Sequence, residues 1–144
     1  MNGPSSAFQQ ILDSYRAAVL AKDTEAFVAL YDNDVHVFDM WGAWSLHGID
    51  AWRAMVADWF GALGSETVVV EAAQVQASTA GDLAFGHALL TFTAHAADGT
   101  VLRSMTNRVT MGVQRRDDVW RVIHQHTSAP IVHDTLKAIL QQSA

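Results

Sequence analysis

Three features of this chain have the residue types and spacing for proton-transfer chemistry. Val35-His36-Val37-Phe38-Asp39 alternates at period two, which puts Val35, Val37 and Asp39 on one face of a strand. A carboxylate ending an apolar face and followed by Trp41 and Trp44 is partly desolvated. Desolvation raises a carboxyl pKa toward the range of a general base. Tyr15 lies inside an apolar helical stripe, and a buried phenol can donate to a developing oxyanion. Trp120, Val122, His124, His126 and Ser128 alternate along a late strand and are expected to face inward together, with the two histidines roughly 6–7 Å apart. Each group also has a plain reading. A tyrosine in an apolar stripe is more often core, and an aspartate ending a strand is more often a turn residue. His-x-His binds metal only with further ligands. His36 shares the face of Phe38, away from Asp39, and no acidic residue has suitable spacing to the pair, so neither a metal site nor a cofactor is expected.

These groups need elements to hold them. Ser6-Ala7-Phe8-Gln9 reads as a capping box opening a helix whose stripe is Phe8, Ile11, Leu12, Tyr15, Ala18 and Val19. Asp23 can cap a short second helix carrying Phe27, Leu30 and Tyr31. Met40 to His47 reads as a tryptophan-rich loop, and Trp52, Met55, Val56, Trp59, Phe60 and Leu63 form the strongest helical stripe. Extended runs follow at 68–78, 83–97, 101–114 and 119–128, with Asp98-Gly99 a two-residue hairpin signal. Met105, Asn107, Val109, Met111 and Val113 share one face of the third run. Val132, Leu136, Ile139 and Leu140 share a helical face over 132–142, which predicts a terminal helix.

Helices first and a run of long antiparallel strands afterwards define an α+β fold, one domain over residues 1–144. The N-terminal helices pack on a curved, mainly antiparallel sheet that forms a cone with an internal pocket. Such a cavity is the default ligand site. Trp41, Trp44, Trp59, Phe60 and Met111 are expected to line it, with His87, Asn107 and Ser128 as polar contacts.

Composition narrows the partners. The net charge of −6 disfavours nucleic acid and anionic membrane, both of which need a basic face. The absence of cysteine excludes disulfides and thiolate metal sites and fits a reducing cytoplasm. The apolar stretch from Ala51 to Leu63 is broken by Arg53 and Asp58, so no bilayer span is expected, and the N-terminus has no signal-peptide pattern.

Tyr15, Asp23, Tyr31, Val37-Phe38-Asp39 and His47-Gly48 followed by an aromatic helix resemble the N-terminal half of bacterial ketosteroid isomerases. Arg115-Arg116-Asp117, Trp120, His124-x-His126-x-Ser128 and Pro130 resemble the association domain of calmodulin-dependent protein kinase and its stand-alone SnoaL-like relatives. Both belong to the nuclear transport factor 2-like superfamily, and the likeness covers nearly the whole chain. It implies that Tyr15 is an oxyanion donor and Asp39 a base that shuttles a proton beside a carbonyl. It also implies a homodimer formed through the sheets. One departure matters. The isomerases carry a second, protonated acid as oxyanion donor, and this chain has no Asp or Glu between Asp98 and Asp117, the matching position being near Met111. His124 or His126 is the expected substitute, and classical steroid isomerisation is not expected.

The resulting expectation is an isomerase-, cyclase- or lyase-like enzyme acting on a small apolar carbonyl compound. The alternatives are a ligand-binding module that does no chemistry and an assembly module with a vestigial pocket.

Overall fold

The computed structural model describes residues 6–142. Helix α1 (Ala7–Ala21) is opened by Ser6, whose hydroxyl accepts the Gln9 N–H at 3.0 Å. The Gln9 side chain bonds Asp13 at 3.0 Å, so only half of the expected capping box forms. The stripe Phe8, Ile11, Leu12, Tyr15, Ala18 and Val19 is buried throughout. Asp23 caps the short α2 (Thr24–Val28) by accepting the Ala26 N–H. Tyr31 does not continue that helix but opens β1 (Tyr31–Phe38). A loop then leads into the two-residue β2 (Leu46–His47) and α3 (Ile49–Leu63).

Four long strands complete the chain: β3 (Thr67–Ala80), β4 (Leu83–His95), β5 (Val101–Arg116) and β6 (Val119–Ser128). The six strands form one sheet in the order β2-β1-β6-β5-β4-β3, curled but unclosed. Only the β1–β6 pair is parallel. β3, β4, β5 and β6 form the expected meander, because each connection is a short turn between strands of matched length. The inner face of the sheet buries Val68, Val70, Ala88, Leu90, Val109, Met111 and Val113 beneath the helices. No helix among the described residues is long and apolar enough to cross a membrane.

α1 and the sheet approach most tightly at Gly86. A Cβ built on Gly86 would lie 2.3 Å from the ring of Phe8. That ring is fully buried and cannot swing away cheaply. Gly86→Ala is therefore expected to cost about 1–3 kcal/mol or more through overpacking. Urea unfolding should show a lower midpoint at unchanged slope, and a loss under about 0.5 kcal/mol would mean that the contact relaxes freely.

Two further sequence expectations fail. The terminal helix over 132–142 is absent. A single helical turn forms, with Leu136 N–H bonded to the Val132 carbonyl at 2.7 Å, and stops at Leu136, whose φ is +60°. The Thr135 hydroxyl accepts the Lys137 N–H, a local bond that competes with helix continuation. The chain turns back instead, pairing Ile131 with Ala138, and the Leu140 carbonyl accepts the Thr106 N–H at 2.8 Å. Thr106 lies on the part of β5 beyond its pairing with β6, where backbone donors are free to take this partner.

The second failure lies in β6. Gly112 pairs with His124 but Val113 pairs with Val122, so Ile123 is an extra residue, a β-bulge. Ile123 and His124 both sit on the outer side, where a Cβ on Gly112 would meet them at 3.7 and 3.9 Å. Past the bulge the alternation is inverted. Gln125 and Thr127 are buried on the inner face, while His126 is exposed on the outer one.

Candidate functional site

A cavity of about 780 Å³ lies between the inner face of the sheet and helices α1 and α3. Its walls are mainly apolar, with Met55, Trp59, Phe92 and Met105 prominent, and Leu140 of the returning tail contributes to them. Tyr15, Asp39, Asn107, Gln125 and Thr127 supply polar groups, as do Asp58, Arg103 and Ser104.

Asp39 follows the end of β1, and its carboxylate is held from two sides. Thr127 Oγ1 donates to Oδ1 at 3.3 Å and the Trp41 N–H donates to Oδ2 at 3.3 Å. Thr127 can orient its proton this way because its oxygen also accepts the Met40 N–H at 3.0 Å. Partial burial raises the Asp39 pKa, and the two hydrogen bonds oppose the rise without cancelling it. Tyr15 projects from the middle of α1. Burial, and then the charge of Asp39, push its phenol well above the ordinary range, so it stays protonated. Its hydroxyl makes no hydrogen bond to the described residues, although the ring lines the cavity.

Behind these two groups lies a second polar set. The Tyr31 hydroxyl donates to Gln125 Oε1. The Trp52 indole N–H lies against the Tyr31 oxygen and favours its ionised form, but falls short of a well-formed hydrogen bond. Burial dominates, and the Tyr31 phenol too is held far above its usual pKa. Asn107 points its amide nitrogen at Met40 Sδ, 3.5 Å away, and its carbonyl oxygen is buried without a partner. Phe27 packs centrally among the aromatic rings, with centroids 4.7 Å from Tyr15, 5.5 Å from Tyr31 and 5.8 Å from Phe60.

The expected site residues are thus divided. Tyr15, Asp39, Trp41, Trp59 and Asn107 line one cavity. His124 and His126 do not, because the bulge turns them to the outer face, where Phe38 packs at 4.9 and 5.6 Å from their rings. Ser128 shares that face and accepts from Arg108 at 3.0 Å. His87 is also outside, since Gly86 and Ala88 take the inner positions of β4. Trp44 is 98% exposed on the loop after β1, which has no strand partner to turn it inward. Phe60 and Met111 are buried in the core and do not line the cavity. Sequence reasoning assigned Gln125 and Thr127 to the opposite face. The signal for them was the adjacent apolar pair Val122-Ile123 facing Gly112, where period two breaks. Among the described residues no group of three or more His, Cys, Asp or Glu side chains is disposed to hold a metal ion.

Residues 9–132 match the profile of the SnoaL-like domain. The chain belongs to the SnoaL-like domain family. Solved structures extend the relationship over its full length. An NTF2-like protein of unknown function from Pseudomonas putida is 30% identical, with a TM-score of 0.83, over 99% of this chain and 100% of that one. A putative calcium/calmodulin-dependent protein kinase II association domain from Xanthomonas campestris is 18% identical, with a TM-score of 0.73, over 90% and 89% of the two chains. An NTF2-like protein with a cystatin-like fold from Novosphingobium aromaticivorans is 18% identical, with a TM-score of 0.72, over 85% and 79%. The last two establish likeness of fold. No protein of curated function matches the chain. As a SnoaL-like domain, the chain has the NTF2-like architecture that its sequence resembles.

Proposed function

We propose that this SnoaL-like domain is an acid–base enzyme for a small, mostly apolar carbonyl compound. The observation that carries the reading is that a desolvated, doubly anchored Asp39 carboxylate shares an apolar cavity with the unpartnered hydroxyl of Tyr15. Asp39 takes a proton from the carbon beside the carbonyl. The C–H electron pair forms a C=C bond, and the carbonyl π pair moves to oxygen, giving an enolate. Tyr15 donates a hydrogen bond to that oxygen. Return of the proton to another carbon is isomerisation, attack of the enolate on a second carbonyl is cyclisation, and loss of a β-substituent is a lyase reaction. The aromatic walls exclude water and keep the carboxylate basic.

The test is solvent deuterium uptake beside the carbonyl of a panel of cyclic ketones and enones. Tyr15→Phe is expected to slow exchange about 10²–10³-fold, the usual loss for one oxyanion donor. With wild-type protein the rate should rise with pH as Asp39 loses its proton through its raised pKa. It should then stay level beyond the pH at which an ordinary tyrosine ionises, because Tyr15 is shifted upward. Exchange by Tyr15→Phe within twofold of wild type would remove the phenol from the chemistry.

We also read the outer face of the sheet as a surface that pairs with a second copy. Phe38, Phe85 and Val119 are 41%, 53% and 43% exposed there, more apolar surface than a solvated face needs. Sedimentation equilibrium tests this, with a monomer at micromolar concentration as the contrary result.

A further inference from the structure

The proposed reaction leaves a negative oxygen that one phenol alone would have to stabilise, and the stretch between Asp98 and Asp117 offers no second acid at the matching position. The histidines offered in its place lie outside the cavity. Asn107 is poorly suited, because its amide nitrogen is turned to Met40 Sδ and its unpartnered atom is an acceptor, which repels an anion. The Trp52 N–H lies on the Tyr31 side, where it favours the ionised form of that phenol without forming a hydrogen bond.

Gln125 is different. It is 1% exposed and lines the cavity from β6. Its Oε1 accepts the Tyr31 hydroxyl proton. An amide oxygen only accepts, so the phenol proton of Tyr31 points at Gln125. Tyr31 therefore requires the acceptor end of the amide, and this orients Nε2 away from Tyr31. Nε2 has no hydrogen-bond partner among the described residues. Two residues along the same face, Thr127 anchors Asp39. Tyr15 is close enough to Tyr31 for its charge state to act on that phenol. Gln125, Tyr15 and Asp39 thus line one cavity.

We infer that Gln125 is a catalytic residue: its Nε2–H is the second donor to the enolate oxygen, with Tyr31 as the positioning residue that holds the amide in the donating orientation. This rests on the acid–base reading above. It also narrows the substrate to compounds whose carbonyl end is small enough to enter between Tyr15 and Gln125. No proton is transferred in this step. The amide shares its proton with the oxygen while Asp39 holds the one removed from carbon. An amide donor is neutral at every working pH, so this device does not titrate as a carboxylic acid would.

The test uses substituted 2-naphthols as enolate mimics. The protein is the full chain carrying Asp39→Asn, which stands for the protonated base of the intermediate. Absorbance separates bound naphtholate from bound naphthol. The naphtholate is expected to bind in preference, and Gln125→Leu should weaken that binding about 10–100-fold, the range for a hydrogen bond to a charged group, while neutral naphthol is little affected. Gln125→Glu should hold naphtholate at low pH, where its carboxyl is protonated, and release it as pH rises, a dependence absent from the Gln125 protein. This variant also reads the proposal if Gln125→Leu does not fold. Tyr31→Phe should weaken naphtholate binding by a smaller factor. Loss of naphthol and naphtholate affinity in equal measure would show a structural role and overturn the inference. If Tyr15→Phe weakens naphtholate binding and Gln125→Leu leaves it within twofold, the inference about Gln125 fails and the acid–base reading stands. If the Asp39→Asn protein shows no preference for naphtholate, both fall.

Discussion

Asp39→Asn should abolish turnover and at the same time make the protein more stable at neutral pH. The first effect is the loss of the general base, worth about 10²–10⁴-fold in rate. The second follows from linkage. The folded-state pKa of Asp39 lies above the ordinary value of 3.8 because burial disfavours the carboxylate. A group with a raised pKa favours the fold below its unfolded pKa, where it is protonated in both states. That contribution is lost as pH rises through the folded pKa. An asparagine is neutral throughout, and its carbonyl can accept from Thr127 or from the Trp41 N–H. The variant's advantage in thermal midpoint should therefore be present at pH 7.5 and shrink toward pH 4. Circular dichroism melts at several pH values measure it. A variant less stable than wild type at pH 7.5 would mean that the two anchoring bonds outweigh desolvation, and full activity would exclude Asp39 as the base.

Phe27→Ala should be the most damaging single truncation in the aromatic core. The ring is fully buried and lies against Tyr15, Tyr31, Trp52, Trp59 and Phe60. Removing a buried phenylalanine costs about 3–5 kcal/mol, the transfer term plus the cavity left behind. In a chain of this size that lowers the thermal midpoint by roughly 10–20 °C. The function should suffer as well, because Phe27 packs against both Tyr15 and Tyr31. Phe27→Leu fills most of the space and should recover more than half of the lost stability. A loss below about 1 kcal/mol in urea unfolding of Phe27→Ala would show that the neighbouring rings close the gap.

Both predictions concern residues whose placement periodicity could reach. The α1 stripe is buried as its 3.6-residue spacing requires, which sets Tyr15 inward, and period two along β1 carries Asp39 to the same cavity. The face of β5 with Asn107, Val109, Met111 and Val113 was equally readable. β6 was not, because period two assumes an unbroken ladder. One additional residue at Ile123 has little effect on local pattern, yet it inverts every residue after it. The tail failed for another reason. Its apolar spacing suits a helix, but the unpaired end of β5 provides backbone partners that no local pattern reveals. Trp44 shows a third limit: a large apolar side chain in a loop has no strand partner to direct it inward, and it projects into solvent.

The Ile123 bulge also makes the chemistry of this cavity depend on strand register. On β6 the residues Gln125 and Thr127 alternate with His124, His126 and Ser128. Absorbing Ile123 into an unbulged ladder, with Val122 still inward, would present His124 and His126 to the interior and turn the amide and the hydroxyl outward, whereas deleting Ile123 would leave every later residue on its present face. One strand thus stores two sets of polar side chains, amide and hydroxyl on one face and imidazoles on the other, separated by one residue of register. In such a strand a one-residue slip of register exchanges the whole reactive wall at once, a step that point substitution would need several changes to make.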